Sequence, residues 1–280
     1  MGHNGNSYYI GIDLNDSYAM VSFFQQNMKE PETVSTVAGS EEFQIPLVLA
    51  RSKSIGKWYY GDEARRLSKS GEMVCIDQLL KRALNSEKIV IDDDSFMAEE
   101  LLALFLKKVM ELPSKLGNPS SFDRLVICVD RLTKENVSMF YGMVVRLGIN
   151  SRQLTVIDRK ESFYYFALNQ DNSLWLHDVV MFMQENESIF FYFLKRDLRT
   201  IPQVVSIDES ISYTLDKNDK DKSFLEIINE SFKNQIISTV FLVGDTFAEG
   251  WMKQSVALLC KGRRVFMGNN LFTKGACYAA

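Results

Sequence analysis

The chain has 280 residues, of which 46% are hydrophobic and 12% aromatic, and this is enough apolar material for two hydrophobic cores. The formal net charge of −4 and the scattered positions of lysine and arginine exclude the concentrated basic surface of a nucleic-acid-binding protein. No apolar run approaches the roughly 20 residues that a membrane-spanning helix needs.

The chain opens with a predicted β-hairpin. Residues 8–24 (YYIGIDLNDSYAMVSFF) form an apolar strand, a short polar turn and a second apolar strand. A third, β-branched run (TVSTV) begins at Thr33. Further on, apolar residues at helical spacing predict a helix over 97–112, for which Ser95 is a plausible N-cap.

The first half ends with a strand that leads into a helix. The apolar run RLVICVD (124–130) predicts the strand, and residues 133–147 predict the helix. Together with the hairpin, these elements predict a first domain over 8–168. A polar break, NQDNSLW at 169–175, then separates it from a second domain predicted over 175–280.

The second half repeats this plan. A hairpin is predicted over 178–194, a third strand from Gln203, a strand over 239–245 and a helix over 248–260. Between them, 222–237 predicts a helix that buries one side, either against the sheet of its own domain or against a partner or the chain beyond Ala280. Its apolar positions are Phe224, Ile227, Ile228, Phe232 and Ile236. The two halves therefore have the same predicted order of elements.

This order resembles the actin-like ATPase superfamily, which includes heat-shock chaperone ATPases, bacterial rod-shape and division actins, and sugar kinases. IGIDLNDSYAMVSFF resembles the first phosphate-binding hairpin, and FQIPLVLARSKSIGKWYYGDEA resembles the segment after it. RLVICVDRLTKENVSMFYGMVVRLGINSRQLTVIDRKESFYYFAL resembles the end of the first domain, and STVFLVGDTFAEGWMKQSVALLC resembles the adenosine-binding strand, turn and helix. The resemblance covers nearly the whole chain and points to a divergent bacterial branch.

The resemblance implies an α/β fold of two duplicated, ribonuclease-H-like domains that close over a nucleotide. Each domain would be a mixed sheet of a hairpin, a third strand and βα units, flanked by helices. The stretch between the third strand and the last βα unit of the second half is too short for the further subdomain of actins and chaperone ATPases. The second domain is therefore predicted to be reduced.

The first hairpin turn departs from the family pattern, in which small residues let backbone amides approach phosphate oxygens. Asp13 matches the family aspartate that holds the water shell of magnesium. Asn15 replaces a glycine, Asp16 brings a carboxylate to the position of a phosphate, and Ser17 and Tyr18 complete the turn. A carboxylate repels a polyphosphate unless a cation intervenes. An ordinary hairpin turn explains the same residues.

The second hairpin departs further. The family carries an aspartate for the metal and three glycines for the phosphates. The residues aligned here are Met183, Gln184, Glu185, Asn186 and Glu187. A thioether thus replaces the metal-binding carboxylate, no glycine remains, and two glutamates add negative charge. A solvated hairpin tip also explains these residues.

A third position also lacks the residue type that the family uses for catalysis. The family has an acid that orients the attacking water at a strand-to-helix junction, and Arg159 takes that position here. A cation cannot accept the proton of the attacking water. Asp158 or Glu161 could replace the acid only if the register of the strand shifts.

The adenosine motif is the best preserved of the four. Gly244 ends the strand where the family has its glycines, and Asp245, Thr246 and Phe247 lead into a helix whose amides could face a phosphate. Phe247 could stack on a base, and residues 268–270 resemble the returning loop. A helix cap by Asp245 or Thr246 explains the same stretch.

Other chemistries have no support in the sequence. The four cysteines lie far apart without a C-x-x-C pair, and three of them have apolar surroundings that predict reduced core thiols. The polar start, MGHNGNS, excludes a secretory signal, so a cytoplasmic protein is expected. The only two histidines, His3 and His177, have no cysteine or carboxylate at metal-ligand spacing, so no metal site is expected. The ending GACYAA has no helix breaker, which suggests that the natural chain continues beyond Ala280.

Two hypotheses of function remain open. The first is a degenerate actin-like domain, a pseudoenzyme that acts as an interaction or regulatory module for a protein partner or for the chain beyond Ala280. The second is an ATPase switch in which Asp13, Ser17, Gly244 and Thr246 hold ATP with magnesium in an unusual geometry. ATP is expected as a cofactor only under the second hypothesis. Neither involves nucleic acid or a membrane.

Overall fold

The computed structural model describes residues 7–197 and 199–280, so the polar start of the chain lies almost entirely outside the described residues. The protein is a mixed α/β structure with several sheets. Its contacts divide it into two compact units, one up to Ser162 together with Phe272–Ala280 and one over Phe163–Leu271. This division differs from the predicted domains, 8–168 and 175–280, in grouping the residues from Phe272 onward with the first unit.

The strands of the first unit are β1 Tyr8–Leu14, β2 Tyr18–Gln25, β3 Glu32–Thr33, β4 Ile45–Pro46, β5 Leu49–Ser52, β6 Trp58–Tyr60, β7 Met73–Ile76, β8 Lys88–Ile91, β9 Asp94–Met97, β10 Arg124–Val129 and β11 Leu154–Asp158. The helices that begin in it are α1 Gly61–Ser68, α2 Leu79–Leu84, α3 Ala98–Met110, α4 Leu112–Lys115, α5 Lys134–Gly142, α6 Val144–Leu147 and α7 Arg159–Leu168, with a 3₁₀ turn at Ser151–Gln153.

The main sheet of the first unit has the order β11-β10-β1-β2-β3. Strands β1, β10 and β11 are parallel, while β2 is antiparallel to both β1 and β3. Strands β1, β2 and β10 are largely apolar and are buried almost throughout, as expected for strands that are covered on both faces. Two smaller sheets, β6-β5-β7 and β8-β9, lie outside this one.

The strands of the second unit are β12 Asp178–Glu185, β13 Ser188–Asp197, β14 Val204–Thr214, β15 Ile237–Val243 and β16 Arg264–Met267. Its helices are α8 Lys220–Ser231 and α9 Lys253–Leu259, with 3₁₀ turns at Asn172–Trp175 and Asp245–Glu249. The last helix, α10 Leu271–Tyr278, begins at the end of this unit and continues into the first.

The sheet of the second unit has the order β16-β15-β12-β13-β14. Strands β12, β15 and β16 are parallel, and β13 is antiparallel to β12 and β14. Each main sheet thus places the hairpin, the third strand and the two strands of the βα units in the same order and directions. The predicted repetition of the hairpin, third strand and following strand is therefore present in the described strands.

One predicted strand is much shorter than the sequence suggests. The run from Thr33 was expected to form a strand, but β3 ends at that residue. The Ser35 hydroxyl donates to the Val37 carbonyl oxygen at 2.6 Å, and both the amide and the hydroxyl of Thr36 donate to the Glu42 carbonyl oxygen. Such side-chain bonds to the backbone compete with strand pairing and turn the chain away from the sheet.

The helix predicted over 222–237 is α8, and it packs on the core of its own unit as expected. Phe224, Ile227, Ile228 and Phe232 are buried in that core. The helix ends at Ser231 because the chain turns through the left-handed conformation at Asn234, with φ 63°, before β15 begins. Ile236 therefore lies outside the helix and is 67% exposed, so its assignment to the buried face was wrong.

The first turn of α3 differs in one detail from the prediction. Ser95 lies in β9 and does not cap the helix, which begins at Ala98. The Glu100 carboxylate accepts a hydrogen bond from the Met97 amide at 3.1 Å and satisfies the backbone there. Among the described helices, none is long and apolar enough to cross a membrane.

Candidate functional site

The first hairpin turn is closed by its own side chain. Asn15 Oδ1 accepts hydrogen bonds from the amides of Ser17, at 2.8 Å, and Tyr18, at 2.9 Å. The Asn15 amide in turn donates to the Tyr18 carbonyl oxygen at 3.1 Å. An amide oxygen of the protein therefore uses the donors that the resemblance assigns to a phosphate. This is the geometry of an Asx turn, which stabilises a hairpin without any ligand.

Asp16 lies at the exposed tip of the same turn. Its carboxylate accepts a hydrogen bond from the Lys81 amide, in the first turn of α2, at 3.0 Å. A negative group at the start of a helix is favourable because the first amides there have no partner within the helix. The carboxylate that was expected to repel a phosphate thus has a structural partner in the same unit.

Asp13 forms a buried ion pair with Arg159. The two side chains are 1% and 3% exposed, and Arg159 Nε lies 3.6 Å from Asp13 Oδ1. The same guanidinium bonds Asp130 Oδ1 through Nη2 at 3.0 Å and lies 5.0 Å from the ring centre of Phe272. A fixed organic cation therefore compensates the carboxylate to which the resemblance assigns the water shell of magnesium.

The order of the strands explains why these three charges meet. Asp13 pairs with Cys128 across β1 and β10, and Cys128 pairs in turn with Ile157 of β11. Asp130 follows the end of β10, and Arg159 follows the end of β11. Residues that follow neighbouring parallel strands lie at the same edge of a sheet. The sequence analysis identified Asp13 and Arg159 but missed Asp130, although its place directly after an apolar strand was visible in the sequence.

The thiol of Cys128 lies beside this ion pair. Burial raises the pKa of Cys128 well above its ordinary value, and the Asp13 carboxylate raises it further, while Arg159 opposes this. Burial also raises the pKa of Cys277. Protonated, buried thiols are poor nucleophiles. All four cysteines are free, but Cys75 and Cys260 are exposed, so the expectation that three would lie in the core was correct for only two.

Asp158 and Glu161 surround Arg159 at the start of α7. Asp158 Oδ1 accepts a hydrogen bond from the Glu161 amide at 2.9 Å, which is the geometry of a helix cap. Burial raises the pKa of Glu161, and the Asp158 carboxylate raises it further. Arg159 is the first residue of α7 and directly follows Asp158, the last residue of β11.

The second hairpin turn lies in the other unit and carries no metal-binding carboxylate at the matching position. Met183 is 5% exposed and pairs with Phe190 on one side and Val243 on the other. A thioether is a poor ligand for magnesium, which prefers oxygen. Asn186 adopts the left-handed conformation at the exposed tip, with φ 55°, and the neighbouring Glu187 pairs with Lys217 at 2.5 Å. The tip has the geometry of an ordinary solvated hairpin.

Gly244 is placed as predicted, at the end of β15, and its conformation requires a glycine. Its φ is 135°, and a Cβ would lie 2.8 Å from the Gln184 carbonyl oxygen. Its amide donates to Asn269 Oδ1 at 3.2 Å, and Asn269 also hydrogen-bonds the Asp245 carboxylate. Residues 268–270 therefore do return to this loop. A side chain of the protein again accepts the hydrogen bond of a loop amide.

The helix predicted over 248–260 begins later, at Lys253, so Asp245, Thr246 and Phe247 do not lie at its start. They begin the 3₁₀ turn Asp245–Glu249, which is followed by Gly250, where φ is 76°. The Phe247 ring is 1% exposed and packs on the rings of Trp251 and Phe224, 6.0 and 5.6 Å away between ring centres. The expectation that Phe247 stacks on a base was wrong, because the ring is part of the core.

Two buried polar atoms lie beside Gly244. Gln184 Oε1 and Thr246 Oγ1 have no hydrogen-bond partner among the described residues. The other end of the Gln184 side chain is used, since its Nε2 donates to the Asn186 carbonyl oxygen at 3.1 Å. Buried polar atoms normally have a partner in the protein, in water or in a ligand. A ligand beside this loop could satisfy these two atoms.

The residues at these sites do not fit a magnesium ion. Asp13 already has a guanidinium partner, and Met183 offers no oxygen. In the part of the chain that the structure describes, no group of three or more histidine, cysteine, aspartate or glutamate side chains is placed to hold a metal ion.

A family model described as "Family of unknown function (DUF5716) C-terminal" matches residues 30–280 of the chain. No curated protein matches the sequence.

Proposed function

Since the chain belongs to this family of unknown function, we propose from its own sites that it is a degenerate actin-like domain, a pseudoenzyme that serves as an interaction or regulatory module. Its partner would be another protein or a further part of the same chain. We propose a cytoplasmic setting, which suits the four free cysteines.

The actin-like assignment rests on the order of the elements. Both main sheets have the same strand order and directions, with a hairpin, a third strand and two further parallel strands. The quoted sequence stretches resemble the family in the same order along the chain. Fold analogy alone is a weak guide to function, so the proposal depends on the sites.

The observation that carries the proposal is the buried pair of Arg159 and Asp13. Coordination of a magnesium water shell needs a carboxylate whose charge is available to the ion. Here the guanidinium already compensates that charge, and a second cation close to Arg159 would be repelled. The arginine also stands where catalysis needs an acceptor for the proton of the attacking water.

Two further features also argue against binding and hydrolysis of ATP with magnesium. Asn15 uses the amides of the first turn, and Met183 replaces the second metal-binding carboxylate. The loss of one contact to a transition-state charge typically costs about 3 kcal/mol, or roughly a hundredfold in rate. Three such losses would leave little of an ATPase rate.

Calorimetric titration of the full chain with ATP and magnesium at millimolar concentration tests the proposal. We expect no heat of binding, or a dissociation constant weaker than about 100 µM, which corresponds to about −5.5 kcal/mol. A sub-micromolar dissociation constant would overturn the proposal.

The alternative is a switch that binds ATP with magnesium through atypical loops, and one observation favours it. Gln184 Oε1 and Thr246 Oγ1 are buried beside Gly244 without a hydrogen-bond partner among the described residues, as expected for atoms that bind a ligand. Under this alternative, Thr246→Val weakens ATP binding at least tenfold. Under the main proposal, the same variant has no binding to lose.

A further inference from the structure

A cavity of about 300 Å³ lies at one edge of the second unit, away from the loops described above. It is formed by residues 175–178, directly before and at the start of β12, and by residues 234–236, directly before β15. Because β12 and β15 are parallel, these segments lie side by side, and the antiparallel β13 brings Arg196 to the same edge. The volume is at the lower end of the range for small-molecule sites.

Arg196 is the central charge of this cavity. Its Nη1 donates to the Trp175 carbonyl oxygen at 3.2 Å, which fixes one side of the guanidinium. No carboxylate lies within ion-pair distance of this guanidinium among the described residues. A partly buried arginine without an anionic partner retains donors for a ligand, and its planar fork matches a carboxylate.

Further polar residues line the cavity together with the arginine. Asn234, Gln235 and His177 are among them, and the side-chain amides of Asn234 and Gln235 form no hydrogen bond within the described part of the chain. The Asp178 carboxylate is also in the wall and accepts a hydrogen bond from the Arg196 amide at 3.4 Å. One positive charge, one negative charge and several neutral donors suit an anion of a single charge better than a phosphate with two.

The walls also include aliphatic surface that the protein leaves in contact with water. Leu176 is 69% exposed and Ile236 is 67% exposed, and both line the cavity. Aliphatic side chains beside a fixed donor group are the usual composition of a site for an amphipathic ligand. The ligand should therefore carry a short hydrocarbon group next to its charge.

We propose that this cavity binds an aliphatic monocarboxylate, with the carboxylate on Arg196 and the hydrocarbon group between Leu176 and Ile236. The carboxylate belongs either to a free small acid or to the C-terminus of a peptide that ends in an aliphatic residue. The proposal depends on the cavity alone and is independent of the actin-like assignment.

Calorimetric titration of the full chain with acetate, hexanoate and hexanamide tests the chemistry. We expect saturable binding of hexanoate in the micromolar to low millimolar range, with acetate and hexanamide at least tenfold weaker. A tripeptide that ends in leucine distinguishes the two sources. If the peptide with a free C-terminal carboxylate binds tenfold more tightly than hexanoate and the amidated peptide does not, the natural ligand is the C-terminus of a peptide. If the free-carboxylate peptide and hexanoate bind with comparable affinities, the natural ligand is a free small acid.

Matched variants test the residues. Arg196→Gln should weaken hexanoate binding roughly tenfold to a hundredfold, because it removes a charge-assisted hydrogen bond. Arg199→Gln removes the same charge from an arginine that is 90% exposed, lies outside the cavity and pairs with Asp197, so it should leave binding unchanged.

A second pair tests the hydrocarbon contact without risk to the fold. Leu176→Ser should weaken hexanoate binding roughly fivefold and leave acetate binding unchanged, because only the longer acid contacts this side chain. Ile201→Ser, at a fully exposed position outside the cavity, should change neither affinity. The proposal would be overturned if hexanoate showed no saturable binding up to about 10 mM. It would also be overturned if the two variants of each matched pair lost hexanoate affinity equally.

Discussion

Arg159 is the residue on which the chemistry of the first unit depends. It is buried with Asp13, and it also reaches Asp130, whose side chain is 55% exposed. A buried ion pair contributes little net stability because both charges have lost their hydration. The removal of one partner is costly, however, because the other charge remains buried alone. The loss of Arg159 should therefore destabilise the protein mainly through the buried Asp13 and only slightly through the exposed Asp130.

Replacement of Arg159 by methionine should lower the free energy of unfolding by about 3–5 kcal/mol, since Asp13 loses its buried cation. The combination of Arg159→Met with Asp13→Asn should recover most of this loss. Asp130→Asn serves as the control and should cost less than about 1 kcal/mol, because this carboxylate is half exposed. Urea denaturation followed by circular dichroism measures all four proteins. An unchanged midpoint for Arg159→Met would contradict the assignment of a buried pair.

The cysteines allow a second test at the level of single residues. Burial raises the pKa of Cys128 and Cys277, so both thiols remain protonated at pH 8 and are also shielded from reagents. We expect iodoacetamide at pH 8 to modify Cys75 and Cys260 in the folded protein, and all four cysteines only after unfolding. Mass spectrometry of the digested protein identifies the modified positions. Rapid modification of Cys128 in the folded state would show that its surroundings open.

Helix α10 lies very close to the elements around it. The Thr273 hydroxyl bonds the carbonyl oxygen of Gly11 at 2.9 Å, and the Ser162 hydroxyl donates to the Phe272 carbonyl oxygen at 2.6 Å. A Cβ on Gly11 or Gly275 would lie well inside van der Waals contact with backbone atoms. Both glycines are therefore required for the close approach of α10 to β1 and α7, and neither has the positive φ that would require glycine by itself.

Gly275→Ala should destabilise the protein by about 2–4 kcal/mol, because the added methyl group meets the backbone of Ser162 and the helix must move. Gly142→Ala is the matched control. Gly142 is also helical, but a Cβ there has open space around it, so alanine should raise stability by about 0.5–1 kcal/mol. Thermal unfolding of the two variants measures both changes. Equal effects of the two substitutions would contradict the close contact of α10.

The packing of α8 can be tested on three of its predicted apolar positions. Phe224 is fully buried against Phe182, 5.2 Å away between ring centres, so Phe224→Glu should cost several kcal/mol and unfold the unit. Phe232→Glu should cost less, because the Arg263 guanidinium lies 4.8 Å from that ring and can pair with the new carboxylate. Ile236→Glu should change stability by less than about 0.5 kcal/mol, since this residue is exposed.

Circular dichroism at rising urea concentration ranks these three variants. The order Phe224, Phe232, Ile236 is expected from the largest loss to the smallest. A folded Phe224→Glu protein with an unchanged midpoint would indicate that this face of α8 is a surface.

At the scale of elements, periodicity predicted the two hairpins, the strands and helices of the βα units, α3 and α8, but it did not predict β4 to β9, α1 or α2. It also predicted one helix over 133–147, where the structure has α5 and α6 with a break at Met143. The order of the strands in both halves followed from apolar runs, which depend on burial alone. The start of α9 could not be predicted, because it depends on the Trp251 side chain, whose Nε1 donates to the Thr246 carbonyl oxygen at 2.7 Å and stabilises a 3₁₀ turn. The short β3 likewise depends on local hydroxyl bonds that compete with pairing.

Tertiary contacts likewise limit how much of the candidate sites can be predicted from the sequence. The sequence identified Asp13 and Arg159 through the resemblance, but the pairing of Arg159 with Asp130 depends on how three parallel strands align. The cavity around Arg196 was not found, because its wall combines three separate segments that carry no motif. Side chains that meet only through the fold leave no periodic signal in the sequence.

For the whole molecule, the sharpest test is an attempt to restore a nucleotide site. A variant with Asn15→Gly, Met183→Asp and glycines at positions 185–187 recovers the family pattern in both hairpins. We expect that it still binds ATP with magnesium more weakly than about 100 µM, because Arg159 still compensates Asp13 and Asn269 still accepts from Gly244. Calorimetry on the variant and the natural sequence measures the difference. Binding in the low micromolar range would show that the loops alone had blocked the nucleotide.

The return of α10 to the first unit has a consequence for the order of events during synthesis. The bond between Thr273 and Gly11 joins residues 262 positions apart, so the first unit is incomplete when Ser162 leaves the ribosome. At about 5–20 residues per second, the segment 163–271 delays its completion by roughly 5–20 seconds. During that interval the surface of β1 around Gly11 lacks its covering helix. A chain truncated after residue 162 should therefore be a better substrate for a chaperone than a chain that includes residues 163–280.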